Sequence, residues 1–153
     1  MKLDAARVLE ERGINYRVIE LSDRALSIND VIRFSKEPLR VDEICKTMIV
    51  KDRNGKKYAI FLLGSDRVDF AKAGKVIGSK LSIANPREVK EVTGVEPGAV
   101  CPLLLKISIY IDRRVTEKKR VNFGSGNHLY GIDVDFQDFA KVFEYTVVDV
   151  AEG

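Results

Sequence analysis

The chain has 153 residues, of which 45% are hydrophobic, and its formal net charge is +3. This length fits one domain that can bury a core, and the apolar content excludes a chain that is disordered by composition. No apolar run approaches the ~20 residues of a membrane-spanning helix, and the N-terminus lacks the apolar stretch of a signal peptide. We therefore expect one domain over residues 1–153, no membrane partner and a cytoplasmic location.

Hydrophobic periodicity and turn residues define the predicted elements. In chain order they are helix 2–12, strand 16–19, helix 27–34, strands 46–52 and 57–63, helix 67–77, strand 80–84, helix 85–94, strands 107–111, 121–123 and 129–134, helix 135–143 and an extended segment 145–150. Asn54-Gly55 predicts a hairpin between the two most apolar strands, because both residues tolerate positive φ. Those strands are apolar on both faces, which places them near the middle of a sheet. The pattern predicts an α+β domain with a curved mixed β-sheet flanked by helices.

Two cysteines, Cys45 and Cys101, and one histidine, His128, restrict the possible chemistry. The cysteines do not form a C-x-x-C pair, and a zinc site would usually need more such ligands. A catalytic cysteine would need a histidine partner, for which His128 alone is weak support. We expect two buried free thiols and neither a metal nor a cofactor.

Lys46 shares a face of its predicted strand with Met48 and Val50. A lysine on an apolar face is costly to bury, so it is a candidate functional residue. Alternatively, the strand position lies at the sheet edge and the ammonium reaches water along its flexible stem. The pattern alone favours this second explanation.

Two loops could bring backbone N–H groups to a ligand. Residues 94–103 contain two glycines and two prolines, which favours a rigid path that can direct N–H groups at an anion or oxyanion. Residues 122–127 are mostly small and would permit close approach of a ligand, although no Gly-Lys-Ser/Thr ending makes them a P-loop. Each loop could equally be a simple connection.

Basic residues cluster in two places. Residues 113–120 carry five basic side chains against one acid, and Lys51, Arg53, Lys56 and Lys57 surround the predicted hairpin turn. Such runs are usually solvated surface and only weakly indicate nucleic-acid binding. Because neither a G-x-S-x-G nor an H-E-x-x-H motif is present, an enzyme with this sequence would depend on electrostatic positioning.

Taken in order, these segments resemble the YbaK family of aminoacyl-tRNA deacylases, whose fold is shared with the editing insertion domain of bacterial prolyl-tRNA synthetase. The resemblance covers nearly the whole chain and rests on the ordered set of motifs. They are Gly13-Ile14-Asn15-Tyr16, Lys46-Thr47-Met48-Ile49-Val50, Arg67-Val68-Asp69-Phe70, Thr93-Gly94, Pro97 to Leu103, Ile111-Asp112 and the glycine turn 124–126.

The resemblance implies a hydrolase that cuts the ester between a wrongly attached amino acid and the tRNA 3′-terminal adenosine. It implies catalytic roles for Lys46 and for the N–H groups of Gly98 and Ala99, with the substrate's ribose 2′-hydroxyl helping to activate water. The implied substrate-binding residues are Thr47, Val100, Cys101, Pro102, Gly124, Ser125, Gly126 and the acid Asp133. Lys118, Lys119 and Arg120 would contact the tRNA acceptor stem. Mischarged tRNA and an aminoacyl-tRNA synthetase are the implied partners.

Three departures leave the identity of the removed amino acid open. Leu21 stands where some members have tyrosine, the loop between Gly126 and Asp133 is longer than in the shortest members, and Thr47 matches the cysteinyl-deacylase branch. Two other functions stay open on the residues alone. One is a non-catalytic module that binds tRNA or a synthetase, and the other is a small-molecule binder with its pocket at Lys46.

Overall fold

The computed structural model describes residues 3–153, in which two β-sheets pack with five short α-helices. The helices are α1 (Asp4–Glu11), α2 (Ile28–Phe34), α3 (Phe70–Ile77), α4 (Pro86–Thr93) and α5 (Phe136–Phe139). The strands are β1 (Tyr16–Glu20), β2 (Cys45–Lys51), β3 (Lys57–Leu63), β4 (Ser82–Ile83), β5 (Ile109–Asp112), β6 (Arg120–Gly124), β7 (Tyr130–Asp135) and β8 (Thr146–Val148). Lys2, the first residue of the predicted helix 2–12, lies outside the described residues.

The larger sheet is mixed and the smaller is antiparallel, and together with the five helices they confirm the predicted α+β class. The larger has five strands in the order β4-β2-β3-β5-β8, and the smaller has three in the order β1-β7-β6. In the larger sheet β2 is antiparallel to β3 and β4, whereas β5 is parallel to β3 and β8. β3 is central and β2 is next to it, as their apolar patterns predicted. The expected single sheet is divided in two, and the parts meet at a parallel bridge between Ile44 and Asn122.

Local signals account for the hairpin and for most helix ends. Gly55 has a φ of 82°, and Asp52 Oδ1 accepts the N–H groups of Asn54 and Lys56 at 2.8 and 3.0 Å. α3 begins at Phe70 instead of residue 67 because the Asp69 side chain accepts the N–H groups of the first turn. α5 ends early because the backbone bonds after Ala140 tighten to the i→i−3 type.

Aromatic side chains hold the two sheets together. Phe61 of β3 and Phe123 of β6 have ring centroids 5.9 Å apart, and both rings lie 5.0 Å from that of Phe139 in α5. All three side chains are buried, and burial of each contributes roughly 1.5–3 kcal/mol. This packing fixes the angle between the sheets and so the gap that opens beside β2.

Candidate active site

A cavity of about 630 Å³ opens beside β2, where the two sheets diverge from the bridge between Ile44 and Asn122. Its lining residues come from segments 21–32, 41–48, 64–67, 97–100 and 122–131. Ligand pockets typically have volumes of about 300–1,000 Å³. The cavity therefore has the size of a small-molecule or nucleotide site, and it brings together the strand and both loops that the sequence indicated.

Glycines are needed where these loops meet. Gly98 has a φ of 99°, and a Cβ there would lie 2.7 Å from the backbone of Leu26. A Cβ on Gly124 would lie 2.8 Å from the carbonyl oxygen of Val100. The Gly126 N–H also donates to the Ala99 carbonyl at 2.8 Å. The close approach in this structure is between backbone segments of the protein, whereas the sequence predicted one for a ligand, and it shapes the cavity wall.

Lys46 lies near the start of β2, opposite Leu62 of β3, and lines this cavity. Its Nζ donates to the Gly64 carbonyl at 3.2 Å, and the side chain is partly buried. Burial lowers the pKa of Lys46 below its usual value, the negative charge of Asp66 opposes that shift, and the positive charge of Arg67 adds to it. The ammonium is therefore close to the space a ligand would fill and incompletely hydrated, which strengthens its interaction with an anionic or polar group.

Thr47 pairs with Phe61 of β3, but on the other side of β2 it has no strand partner among residues 3–153. The Ile49 carbonyl accepts the Ala84 N–H at 3.0 Å, so the backbone groups of odd-numbered residues in β2 point away from β3. On that side β4 pairs only with Val50 and Lys51. Within residues 3–153, the buried Thr47 Oγ1 also has no hydrogen-bond partner. Thr47 can therefore offer hydroxyl and main-chain groups to a ligand in the cavity.

The N–H groups of Gly98 and Ala99 differ in availability. The Ala99 N–H donates to the Glu96 carbonyl at 3.3 Å and its residue is buried, whereas Gly98 is exposed. In the part of the chain that the structure describes, the Gly98 N–H donates to no protein acceptor. Gly98 is thus the better-placed donor for a ligand oxygen.

Several predicted substrate-binding residues lie behind the cavity wall. Thr47, Val100 and Gly124 line the cavity, whereas Cys101, Pro102, Ser125 and Gly126 do not. Ala99, which was predicted to be catalytic, does not line it either. Ser125 Oγ donates to the Tyr130 carbonyl at 2.6 Å and thereby holds the glycine turn. Cys101 and Cys45 are buried free thiols, as predicted, and burial raises the pKa of both, to about 12 for Cys101.

The sequence did not identify three charged or titratable residues of the cavity: Asp66, Arg67 and His128. The His128 Nδ1 lies 2.7 Å from the Ala25 carbonyl oxygen. Because a carbonyl can only accept, Nδ1 is the donor in this hydrogen bond, and Nε2 is the ring nitrogen left for a ligand. The position of His128, directly after the glycine turn, was the available signal for its place in the site.

Asp133 does not line the Lys46 cavity. Its neighbours Ile132 and Val134 point into the core, so its side chain lies on the opposite face of β7. There it accepts Arg17 Nη2 at 2.8 Å and Arg120 Nε at 2.9 Å. Asp133 is buried and forms part of a second depression of about 810 Å³, which shares Asn122 with the first cavity.

The predicted tRNA-contacting residues surround this second depression. Lys118 Nζ lies 3.5 Å from Asp42, and Arg120 is paired with Asp133. Lys119 is exposed and forms no ion pair among residues 3–153. A hydrogen bond from Arg40 lowers the pKa of Asp42, with help from the charge of Lys118. The segment is thus basic but interleaved with acids, and Lys119 is its least engaged cation.

Two further classes of site find no support in residues 3–153. No three His, Cys, Asp or Glu side chains in this range lie together as candidate metal ligands. No helix within it is both long and apolar enough to cross a membrane.

A family model described as the aminoacyl-tRNA editing domain matches residues 27–142, three quarters of the chain. The chain belongs to the aminoacyl-tRNA editing domain family. The matched range contains Lys46, Gly98 and the glycine turn 124–126, so most of the cavity lining lies within it, and only Leu21, Ala25 and Leu26 precede it. This membership confirms the family resemblance seen in the sequence.

Solved structures share the fold of this editing domain. The hypothetical protein APE2540 has a TM-score of 0.85 and 25% identity, over 95% of this chain and 97% of that one. A structure described as a candidate trans-editing enzyme for prolyl tRNA synthetase has a TM-score of 0.82 and 24% identity, over 100% of both chains. The coverage shows that the same fold accounts for nearly the whole of the first chain and the whole of the second.

Proposed function

We propose that this editing domain hydrolyses the ester between a wrongly attached amino acid and the 3′-terminal adenosine of tRNA, in the cytoplasm. The observation that carries the proposal is the position of Lys46, a partly buried cation in the same cavity as the unengaged N–H of Gly98. A cation and a backbone donor at one site suit an ester, whose carbonyl oxygen becomes negative when water attacks.

In this mechanism the charge of Lys46 holds the terminal phosphate or polarises the ester. The Gly98 N–H stabilises the tetrahedral oxyanion, and one such donor can contribute roughly 3–4 kcal/mol. The Ala99 N–H would join it only if its bond to Glu96, at 3.3 Å, opens when substrate binds. Thr47 and Val100 would contact the aminoacyl group from the cavity wall, while the glycine turn 124–126 and the segment after Val100 hold that wall in place.

The proposed reaction proceeds without a covalent intermediate. Cys45 lines the cavity, but burial raises the pKa of its thiol well above the usual value, so the nucleophilic thiolate is scarce. The hydrolytic water would instead be activated with help from the substrate's ribose 2′-hydroxyl. The protein then contributes position and charge, which is the kind of catalysis that the absence of a sequence motif for a triad predicted.

The structural neighbour described as a candidate trans-editing enzyme for prolyl tRNA synthetase suggests the first substrate and partner to test. We propose that proline-specific tRNA carrying a wrong amino acid is cleaved and that prolyl-tRNA synthetase is a partner. The acceptor stem would lie across residues 118–120, where Lys119 is free to contact phosphate. The shared residue Asn122 joins that surface to the cavity.

A deacylation assay over a panel of mischarged tRNAs tests the proposal. Lys46→Ala should lower the rate by on the order of a hundredfold or more while the circular dichroism spectrum is unchanged. Lys46→Arg need not rescue it, because a planar guanidinium replaces a compact ammonium. Lys75→Ala, which removes an exposed lysine outside the cavity, is the control. Near-normal turnover by Lys46→Ala would refute the assignment.

The same panel, together with binding measurements for tRNA and for small ligands, separates the other two functions. A wild-type protein that binds tRNA through residues 118–120 but cleaves no mischarged tRNA would be a binding module. A wild-type protein that binds a small ligand at Lys46 and does not bind tRNA would be a small-molecule binder.

A further inference from the structure

Asp66 is the one carboxylate among the described residues that line the Lys46 cavity. It follows β3 in the segment 64–67, and about a fifth of its side chain, 19%, is exposed. The other charged groups of the lining are the cations Lys46 and Arg67. Any positively charged part of a ligand in this cavity therefore has a single anionic partner available.

Only one oxygen of this carboxylate is engaged. Arg114 Nη1 lies 3.4 Å from Oδ1, which holds the side chain in place. The other oxygen, Oδ2, is buried and has no hydrogen-bond partner within residues 3–153. Lys46 does not supply one, since its Nζ bonds to the Gly64 carbonyl. A buried carboxylate oxygen without a donor is costly, and such groups in native proteins call for an explanation.

We infer that Asp66 binds the α-ammonium group of the aminoacyl moiety. This inference rests on the proposed function. It gives a binding partner to the amino end of the aminoacyl group, which neither Lys46 nor Gly98 contacts in the proposed mechanism. Every aminoacylated 3′ end carries a cationic α-ammonium, which is bonded to the carbon next to the ester carbonyl. An ammonium donor would satisfy Oδ2, and the charge-assisted bond would fix the ester relative to Lys46. Asp66 thus acts as a positioning residue that favours substrates with a free α-amino group.

The inference requires the cavity to distinguish a free amine from an amide at the same position. N-acetylation removes the positive charge of the α-amino group and leaves the ester unchanged. The first measurement compares kcat/KM of the full chain for proline-specific tRNA charged with alanine and for its N-acetyl-alanyl form. Wild type should prefer the free amine by about tenfold or more, as expected for a hydrogen bond between charged groups.

The decisive variant is Asp66→Asn, which keeps the shape of the side chain and removes its charge. It should lower kcat/KM for the free-amine substrate by about tenfold or more and leave the N-acetylated substrate within about threefold. Both substrates are measured on the same preparation, so a partly unfolded variant would lose activity on both equally. Glu96→Gln is the matched control, because Glu96 is an exposed acid beside the Gly98 loop that does not line the cavity.

Two outcomes would overturn the inference. Equal loss on both substrates would show that Asp66 acts as a base or supports the fold. No loss on either would show that the ammonium binds elsewhere.

Failure of the proposed function is a separate result. If wild type cleaves no aminoacyl-tRNA, calorimetry with 3′-alanylamino-3′-deoxyadenosine and its N-acetyl form still tests Asp66. Weaker binding of the free amine alone in Asp66→Asn supports the inference, and equal affinities overturn it.

Discussion

Replacing Gly98 by alanine should damage both stability and deacylation, and the structure allows the two effects to be separated. Gly98 has a φ of 99°, where a side chain costs about 1–3 kcal/mol. An alanine Cβ would also lie 2.7 Å from the backbone of Leu26, and crowding of this kind costs about 1–3 kcal/mol more. The sum, about 2–6 kcal/mol, corresponds to a fall in Tm of roughly 4–24 °C for a domain of this size.

Gly94→Ala is a matched control in the same loop. Gly94 has a φ of 80°, but a Cβ there would meet nothing within 4 Å. It should therefore lose only the conformational contribution of about 1–3 kcal/mol. The difference between the two variants isolates the contact with Leu26.

Thermal melting and single-turnover deacylation of mischarged tRNA are the assays. Gly98→Ala should melt below Gly94→Ala and should cleave about a hundredfold or more slowly at a temperature where both are folded, since its N–H is displaced from the oxyanion. Equal melting temperatures would show that the Leu26 segment moves freely to make room. Full activity in Gly98→Ala would show that this N–H is not the oxyanion donor.

Three further predictions concern tRNA binding, the two thiols and the buried acid Asp133. Replacing all three residues of segment 118–120 by glutamine should flatten the plot of log K for tRNA against log salt by about 0.7–0.9 for each phosphate that the variant no longer neutralises, and an unchanged slope in filter binding would mark the segment as solvated surface. Because burial raises the pKa of Cys45, and that of Cys101 to about 12, both thiols should be protonated at pH 8 and react with an aromatic disulfide only after unfolding; rapid labelling of the native protein would contradict this. Asp133→Asn should lower the free energy of unfolding in urea by about 1–3 kcal/mol, because two half-exposed arginines lose their buried acceptor; a loss of deacylation without a loss of stability would place Asp133 in substrate binding.

The elements with local causes could be predicted from the sequence. In α4, Asn85 Oδ1 accepts the Glu88 N–H at 2.9 Å and Glu88 Oε1 accepts the Asn85 N–H at 3.0 Å, so the capping residues that the sequence contains form both bonds of a capping box. The Asn-Gly turn likewise formed between its two strands. Division of the sheet could not be predicted, since it depends on pairings such as β1 with β7 that join residues far apart in the chain.

The candidate site was predictable only in part for the same reason. The hydrophobic pattern around Lys46 favoured a lysine at the edge of a sheet. Its connection with Gly98 came from the order of the family motifs and not from periodicity. Nothing in the local sequence indicates that Asp66 and His128 would line the same cavity, because each follows a strand whose direction depends on distant pairing. The cavity forms where the two sheets separate, and no short sequence pattern predicts where two sheets separate.

Asp133, which is buried, and Asp66, which is partly buried, show why the number of partners identifies a role better than burial alone. Asp133 lies on the middle strand of the smaller sheet and accepts from Arg17 of β1 and Arg120 of β6, so both of its oxygens are used in bracing three strands. Asp66 lines the cavity that contains Lys46 and has an arginine on one oxygen only, and its second oxygen is buried with no hydrogen-bond partner within residues 3–153. A carboxylate with partners on both oxygens has little remaining capacity to bind a ligand. When one oxygen has no partner, a cationic ligand can compensate for the solvation free energy that this oxygen lost on burial. On this physical ground Asp133 stabilises the fold and Asp66 is the acid placed to recognise the amino acid.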